Sequence, residues 1–172
     1  MRFMKGEQHW SLLDLLKEKC RSQWGRSYLF NCSVEKNPPK VTWETVGKFP
    51  SVYPSSDELL FRALSRGFHW LLENVNEHAG GDNRLIRAVR KGRLQTVELY
   101  WDGERPSDER LAEVNRNYQL GTRRDTLPNK FGTVISGYLF HSLGGSVIIE
   151  KTGGIYVARN VIKIPIPARS TK

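Results

Sequence analysis

Cysteine is scarce in this chain. Its 172 residues include only Cys20 and Cys32, which do not form a CxxC pair. A disulfide-rich secreted scaffold is thereby excluded, and we expect two buried, unreactive thiols in a reducing compartment. The four histidines stand at no zinc-ligand spacing to one another or to the cysteines. The sequence therefore predicts no metal site and no cofactor.

Long apolar runs and glycine motifs for phosphate binding are also missing. No stretch approaches the 18 or more apolar residues of a membrane-spanning helix, and the first residues lead into no apolar segment of a secretory signal. The pairs Gly144-Gly145 and Gly153-Gly154 match neither a P-loop nor a dinucleotide-binding pattern, so they predict turns. We expect a cytoplasmic or nuclear protein that is neither secreted nor embedded in a membrane.

Acidic residues are in short supply only in the second half of the chain. Residues 1–82 carry 11 Lys and Arg against 10 Asp and Glu, whereas residues 83–172 carry 16 against 8. Most of the second set are arginines, which suit bidentate contacts to phosphate or carboxylate. A charge excess of this size predicts an anionic partner rather than a particular fold.

Hydrophobic periodicity predicts an α+β protein with antiparallel sheets and four to five helices. Helices are expected over residues 8–24, from Ser55 or Ser56 to about Val75, over 83–91, after Ser107 and over 133–143. Strands are expected over 27–34, 41–46, 49–53, 94–101, 147–151, 155–159 and 161–166. The last three predict a C-terminal hairpin followed by an edge strand, which Pro165 and Pro167 favour. A single domain, 1–172, or two packed halves, 1–79 and 82–172, fits this order.

The element order over residues 11–75 resembles that of double-stranded RNA-binding domains, with helix, three strands and helix. The resemblance implies a three-stranded sheet with two helices on one face. Ser55-Ser56-Asp57-Glu58 stands where that family places phosphate-binding lysines. The likeness therefore carries no binding residue over to this chain.

Two groups of cations in the basic half are the candidate functional residues. A basic helix followed by basic loops is typical of phosphate-backbone binding, and aromatic side chains nearby can stack on bases. We therefore predict a non-enzymatic, RNA-favouring nucleic-acid-binding protein. Its predicted binding residues are Arg84, Arg87, Arg90, Lys91, Arg93, Arg123, Arg124, Lys130, Tyr100 and Tyr156.

Two other functions stay open at this point. The same arginines could dock an acidic protein surface, which would make the chain an accessory or inhibitor subunit of viral or mobile-element origin. Glu98, on the predicted strand, and Asp102, directly after it, would project from one strand face and could gather a metal ion for nuclease chemistry. No catalytic residue is assigned.

Overall fold

The computed structural model describes residues 9–24, 38–49, 53–54, 58–120 and 131–166. The described helices are α1 (Leu12–Trp24), α2 (Glu58–His78), α3 (Asp108–Leu120) and α4 (Phe131–Ser142). The strands are β1 (His9–Trp10), β2 (Lys40–Val46), β3 (Tyr53–Pro54), β4 (Asn83–Lys91), β5 (Leu94–Trp101), β6 (Ser146–Lys151) and β7 (Ala158–Pro165). β1 and β3 pair with each other, and the other five form one sheet in the order β2-β4-β5-β7-β6.

Side-chain caps begin two of the helices where the sequence predicts them. The Ser11 hydroxyl accepts a hydrogen bond from the backbone N–H of Asp14 at 3.1 Å and donates one to its carboxylate at 2.6 Å. The Ser107 hydroxyl accepts from the backbone N–H of Arg110 at 3.1 Å. The two bonds from backbone N–H groups each satisfy a donor that the first helical turn leaves free. The helix expected over 133–143 is also present, as α4.

The helix predicted over residues 83–91 is wrong, because this segment is strand β4. Its apolar residues fit the period of a helix and that of a strand. Ile86 and Val89 are three residues apart, as on one helix face, whereas Ile86 and Ala88 are two apart and are the apolar residues that the strand buries. Pairing decides the outcome, since β4 hydrogen-bonds to β2 on one side and to β5 on the other. Such long-range pairing overrides a local helical pattern.

The sheet is mixed, which corrects the expectation of antiparallel pairing throughout. β2 runs parallel to β4, with Lys40 opposite Asn83 and Val46 opposite Val89. The sheet implied by the resemblance to double-stranded RNA-binding domains is therefore not the one observed, because β2 pairs with a strand of the other half. The strand expected over 27–34 lies outside the described residues.

The C-terminal strand is internal rather than an edge. Residues 158–165 form one strand, β7, where two were expected, and β7 lies between β5 and β6. The predicted hairpin with β6 is present, and the backbone N–H of Thr152 bonds the carbonyl of Val157 at 3.2 Å across its turn. Pro165 fits because it is the last residue of the strand.

The helices pack on one face of the sheet. The core joins inward strand residues such as Ile86, Val97 and Ile162 to helix residues such as Leu72 and Phe140, all nearly inaccessible to solvent. This is a two-layer α+β arrangement of the predicted class. The core draws on both halves of the chain, while the domain boundaries stay a prediction. Among the described helices, none is long and apolar enough to cross a membrane.

Candidate functional site: a cleft between the helices and the sheet

The first predicted arginine cluster does not form one basic surface. Successive side chains of a strand point to opposite faces, so β4 separates Arg84 and Arg90 from Arg87 and Lys91. Arg84 is buried at 2% exposure. Arg87 lies on the face without helices, between the carboxylates of Glu44 and Glu98 at 3.8 and 3.7 Å. The expected helix face of cations is therefore absent from this segment.

The two tyrosines predicted to stack on bases belong to a polar network. The Tyr100 hydroxyl donates to Glu98 at 2.8 Å and accepts from the Arg159 guanidinium at 2.8 Å. Arg159 also donates to Glu150, and the Tyr156 ring lies 5.7 Å from that of Tyr100. The hydrogen bond with Tyr100 raises the pKa of Arg159, and burial lowers it. Tyr100 is thus committed to neighbours of its own sheet face.

The remaining predicted site residues divide between described and undescribed parts of the chain. Arg123, Arg124 and Lys130 lie outside the described residues. Arg93 is exposed, and its guanidinium donates to the backbone carbonyl of Ile166 at 3.0 Å. A shared face for the two predicted clusters therefore stays a prediction.

The carboxylates considered for nuclease chemistry serve different partners. Glu98 accepts from Tyr100 and Arg159. Asp102 accepts from Asn83, through the backbone N–H at 3.0 Å and the side-chain amide at 2.6 Å. Within the described ranges, no group of three or more His, Cys, Asp or Glu side chains could hold a metal ion.

A cleft of about 860 Å³ opens between α2, α3, the start of α4 and the sheet. Its apolar walls include Trp70 of α2 and Trp101 at the end of β5. Its polar residues come from the second half of α2, the loop before α3, α3 itself, and the first turn of α4. These are Glu73, Asn74, Glu77, His78, Glu104, Arg105, Ser107, Arg110, Asn117, Tyr118 and Thr133, with Asn160 of β7.

Several buried polar atoms of this cleft lack a partner among the described residues. They are Nδ2 of Asn74, Oγ1 of Thr133 and Oε2 of Glu73. The last lies 3.6 Å from Nε2 of His69, which is beyond hydrogen-bond distance. A buried polar group without a partner is costly, and such groups gather where a ligand or water completes them. Two unpartnered donors and one unpartnered acceptor are therefore buried within residues that line the cleft.

Close packing fixes the positions of these groups. A Cβ atom at Gly132 would lie 2.5 Å from Oδ1 of Asn74, so glycine lets the first turn of α4 approach α2 there. One turn on, a Cβ atom at Gly137 would overlap the backbone carbonyl of Tyr118 on α3. The Tyr118 hydroxyl accepts from Nδ2 of Asn160 at 2.9 Å, and burial raises its pKa, so the phenol stays neutral.

A buried ion pair holds the loop that leads into the cleft. The side chain of Arg84 is 3% exposed and lies 3.4 Å from Oδ1 of Asp102. It also donates to the carbonyls of Gly81 at 2.7 Å and Asn83 at 3.0 Å, and its guanidinium lies 6.0 Å from the Trp24 ring centroid. Because Asp102 directly follows the cleft residue Trp101, this pair ties one wall of the cleft to the α2–β4 loop.

Sequence reasoning did not single out Asn74 or Thr133. One signal was available for Asn74: it is an amide within the apolar run of α2, between the buried residues Leu72 and Val75. Thr133 opens a strongly apolar helix and carried no comparable signal. Their proximity to one cleft depends on α2 and α4 packing together, which periodicity does not reveal.

Solved structures share this fold along nearly the whole chain. The catalytic domain of histidine kinase ThkA superposes with a TM-score of 0.64 at 13% identity, covering 95% of this chain and 99% of that one. The ATP binding domain of PrrB from Mycobacterium tuberculosis gives 0.62 at 15% identity, covering 94% and 98%. Full-length ShkA in complex with AMPPNP gives 0.63 at 13% identity, covering 96% of this chain and 32% of that one. At these identities the likeness establishes the fold.

No protein-family model and no curated protein matches the sequence.

The prediction of a non-enzymatic nucleic-acid-binding protein is wrong. The chain has the fold of solved histidine kinase catalytic and ATP-binding domains, and this likeness gives no support to an RNA or DNA partner. The error began in β4, where a helical interpretation joined arginines that the strand places on two faces. The RNA-binding role predicted for the basic half depended on that helix and is therefore wrong as well.

Proposed function

We propose that this chain binds an adenine nucleotide of the ATP type in the cleft between α2, α3 and α4. The observation that carries the proposal is the coincidence of fold and cleft. The chain shares its architecture with the ATP binding domain of PrrB and with ShkA, which was solved with AMPPNP. The same architecture here encloses a cleft with unpartnered polar atoms.

The size and lining of the cleft suit such a ligand. Ligand sites in proteins enclose about 300–1,000 Å³ and combine apolar walls with a few placed polar groups, and this cleft measures about 860 Å³. Half-buried Trp70 offers apolar ring surface for a purine, while Trp101, 7% exposed, belongs to the core behind the cleft wall. Asn74 and Thr133 offer N–H and O–H donors for phosphate or ring-nitrogen acceptors, and Glu73 offers an acceptor for an amine or hydroxyl.

The charges that line the cleft favour a nucleotide accompanied by a divalent cation. Arg105, Arg110 and His78 face the same space as three carboxylates. Arg110 is further engaged by Glu113 at 2.8 Å. A triphosphate therefore meets little net positive charge from the described residues. Mg²⁺ is usually bound through one or two carboxylates and the phosphates themselves, so we expect binding to strengthen when Mg²⁺ is added.

Titration of the full chain with AMPPNP, with and without Mg²⁺, tests the proposal. Isothermal calorimetry should give saturable 1:1 binding, and Asn74→Ala and Thr133→Val should each weaken it by about tenfold, since each removes one donor worth about 1–1.5 kcal/mol. The Trp70 ring provides a second signal, because a base stacked on it changes tryptophan fluorescence.

Asn76→Ala is the matched control for Asn74→Ala. Asn76 is on the same helix and is also half-buried, but it does not line the cleft. The control should bind AMPPNP like the unmodified protein. Equal affinity of the Asn74→Ala and Asn76→Ala proteins, or no AMPPNP binding by a folded chain, would overturn the proposal.

A further inference from the structure

One face of the five-stranded sheet carries none of the described helices, and an apolar strip of three residues lies at one end of it. Strand alternation turns Val46, Val89 and Leu94 to this face, opposite the core positions. Val46 is directly across from Val89, and Leu94 is across from Lys91, the next outward residue of β4. Val46 is 46% exposed and Leu94 is 42% exposed. Val89 is opposite Thr96, so Leu94 is its diagonal neighbour, and the three aliphatic side chains share one end of the face. Single exposed aliphatic residues are ordinary, whereas exposed aliphatic residues grouped in this way are typical of interaction surfaces.

Unneutralised cations border this strip. Lys91 is the cross-strand partner of Leu94, and Lys163 is the cross-strand partner of Thr96 on the same face. Arg93 follows at the β4–β5 turn, where only a backbone carbonyl accepts from it. In the part of the chain that the structure describes, none of these three cations pairs with a carboxylate. Val46, Val89, Leu94, Lys91, Lys163 and Arg93 are called the end patch below.

The rest of the same face is electrically balanced. Arg87 lies between two carboxylates, and Arg159 is paired with Glu98 and Glu150. The excess positive charge of this face therefore collects at the end patch. Charge left without counterions beside exposed apolar surface favours a partner that supplies both carboxylates and aliphatic side chains.

We propose that the end patch docks an acidic protein segment in which aliphatic side chains alternate with Asp or Glu. A second copy of this chain fits poorly, because it would bring Lys91, Lys163 and Arg93 against the same cations. A nucleic acid would gain nothing from Val46 and Leu94, and the nearest aromatic residue of this face, Tyr100, is committed to Glu98 and Arg159. The patch faces away from the cleft, so the proposal does not depend on nucleotide binding.

The experiment uses the full chain and two labelled peptides. One alternates Glu with Leu and Val, and the other keeps the glutamates but has serine in place of each aliphatic residue. Fluorescence anisotropy should show that the aliphatic peptide binds at least about tenfold more tightly than the serine peptide. Leu94→Gln and Lys163→Glu should each weaken its binding by about tenfold or more.

Two controls separate the patch from general surface effects. Leu59 is 82% exposed on α2, away from the sheet, so Leu59→Gln removes an exposed leucine elsewhere. Arg66 is exposed on the same helix, so Arg66→Glu reverses the same amount of charge as Lys163→Glu. Both control proteins should bind the aliphatic peptide as the unmodified chain does.

Other results would overturn the proposal. Equal affinity for the two peptides, or equal losses of affinity in the patch and control variants, would show that the protein attracts acidic peptides only through its overall charge. Binding of an oligouridylate RNA that Leu94→Gln leaves unchanged, with no binding of the aliphatic peptide, would point to a nucleic acid instead. A dimer in sedimentation that Leu94→Gln abolishes would show that a second copy occupies the patch. If the folded protein binds neither peptide, the end patch is not a docking site for an acidic segment.

Discussion

Changing Asp102 to asparagine removes the negative charge of the buried ion pair with Arg84. The side chain of Arg84 is 3% exposed and that of Asp102 is 17% exposed. Burial lowers the pKa of Arg84, while Asp102 and then Asp82 act to raise it. The substitution keeps an oxygen that can accept from the backbone N–H of Asn83. It places an NH₂ group where the second carboxylate oxygen accepts from the Asn83 side-chain amide, so it removes the charge and that hydrogen bond with little change of shape.

The magnitude follows from what remains around the guanidinium. Removing one partner of a buried pair typically costs about 3–5 kcal/mol, because the other charge is left uncompensated. Here Arg84 keeps the carbonyl acceptors of Gly81 and Asn83 and the distant charge of Asp82. We therefore expect Asp102→Asn to lower the free energy of unfolding by about 2–3 kcal/mol, near the bottom of that range.

A double-mutant cycle in urea checks this reasoning. Arg84→Met removes the buried charge itself and fills the same space with an apolar side chain, so it should cost less than Asp102→Asn. The double variant should lose less free energy of unfolding than the sum of the losses in the two single variants, with a coupling energy of at least about 1 kcal/mol. Additive losses, or a cost for Asp102→Asn below about 0.5 kcal/mol, would show that the pair does not carry the stability assigned to it.

Two further predictions concern the core. Gly137→Ala should lower the free energy of unfolding, measured by urea titration, by about 2 kcal/mol or more, because the new methyl group would overlap the Tyr118 carbonyl. Gly153 has open space around it, so Gly153→Ala should change the free energy of unfolding by less than about 0.5 kcal/mol. Burial raises the pKa of the Cys20 thiol to about 12, so in a Cys32→Ser background iodoacetamide at pH 8 should label the native chain far more slowly than the unfolded one. The native Cys20 thiol holds its proton to a higher pH than the unfolded thiol, so the free energy of unfolding should fall as the pH rises above about 9. Equal labelling rates for native and unfolded chains, or a free energy of unfolding that does not fall above this pH, would contradict the burial of Cys20.

Local signals account for much of the secondary structure. Ser11 and Ser107 cap α1 and α3 where the sequence predicts it, because a helix start depends on a few adjacent residues. Strict alternation identified β5, and the paired glycines marked the β6–β7 turn. These features require no knowledge of the rest of the chain, so the α+β class followed from the sequence.

Tertiary pairing decided the features on which function depends. Residues 83–91 fit a helix and a strand equally well by themselves, and only β2 and β5 on either side make them a strand. That choice separated the arginines and removed the basis for predicting a nucleic-acid partner. Asn74 and Thr133 meet at one cleft because α2 packs against α4, with Gly132 allowing the approach. The sequence by itself determined the local elements and the excess of charge, while the faces, the cleft and the end patch came from contacts between residues far apart in the chain.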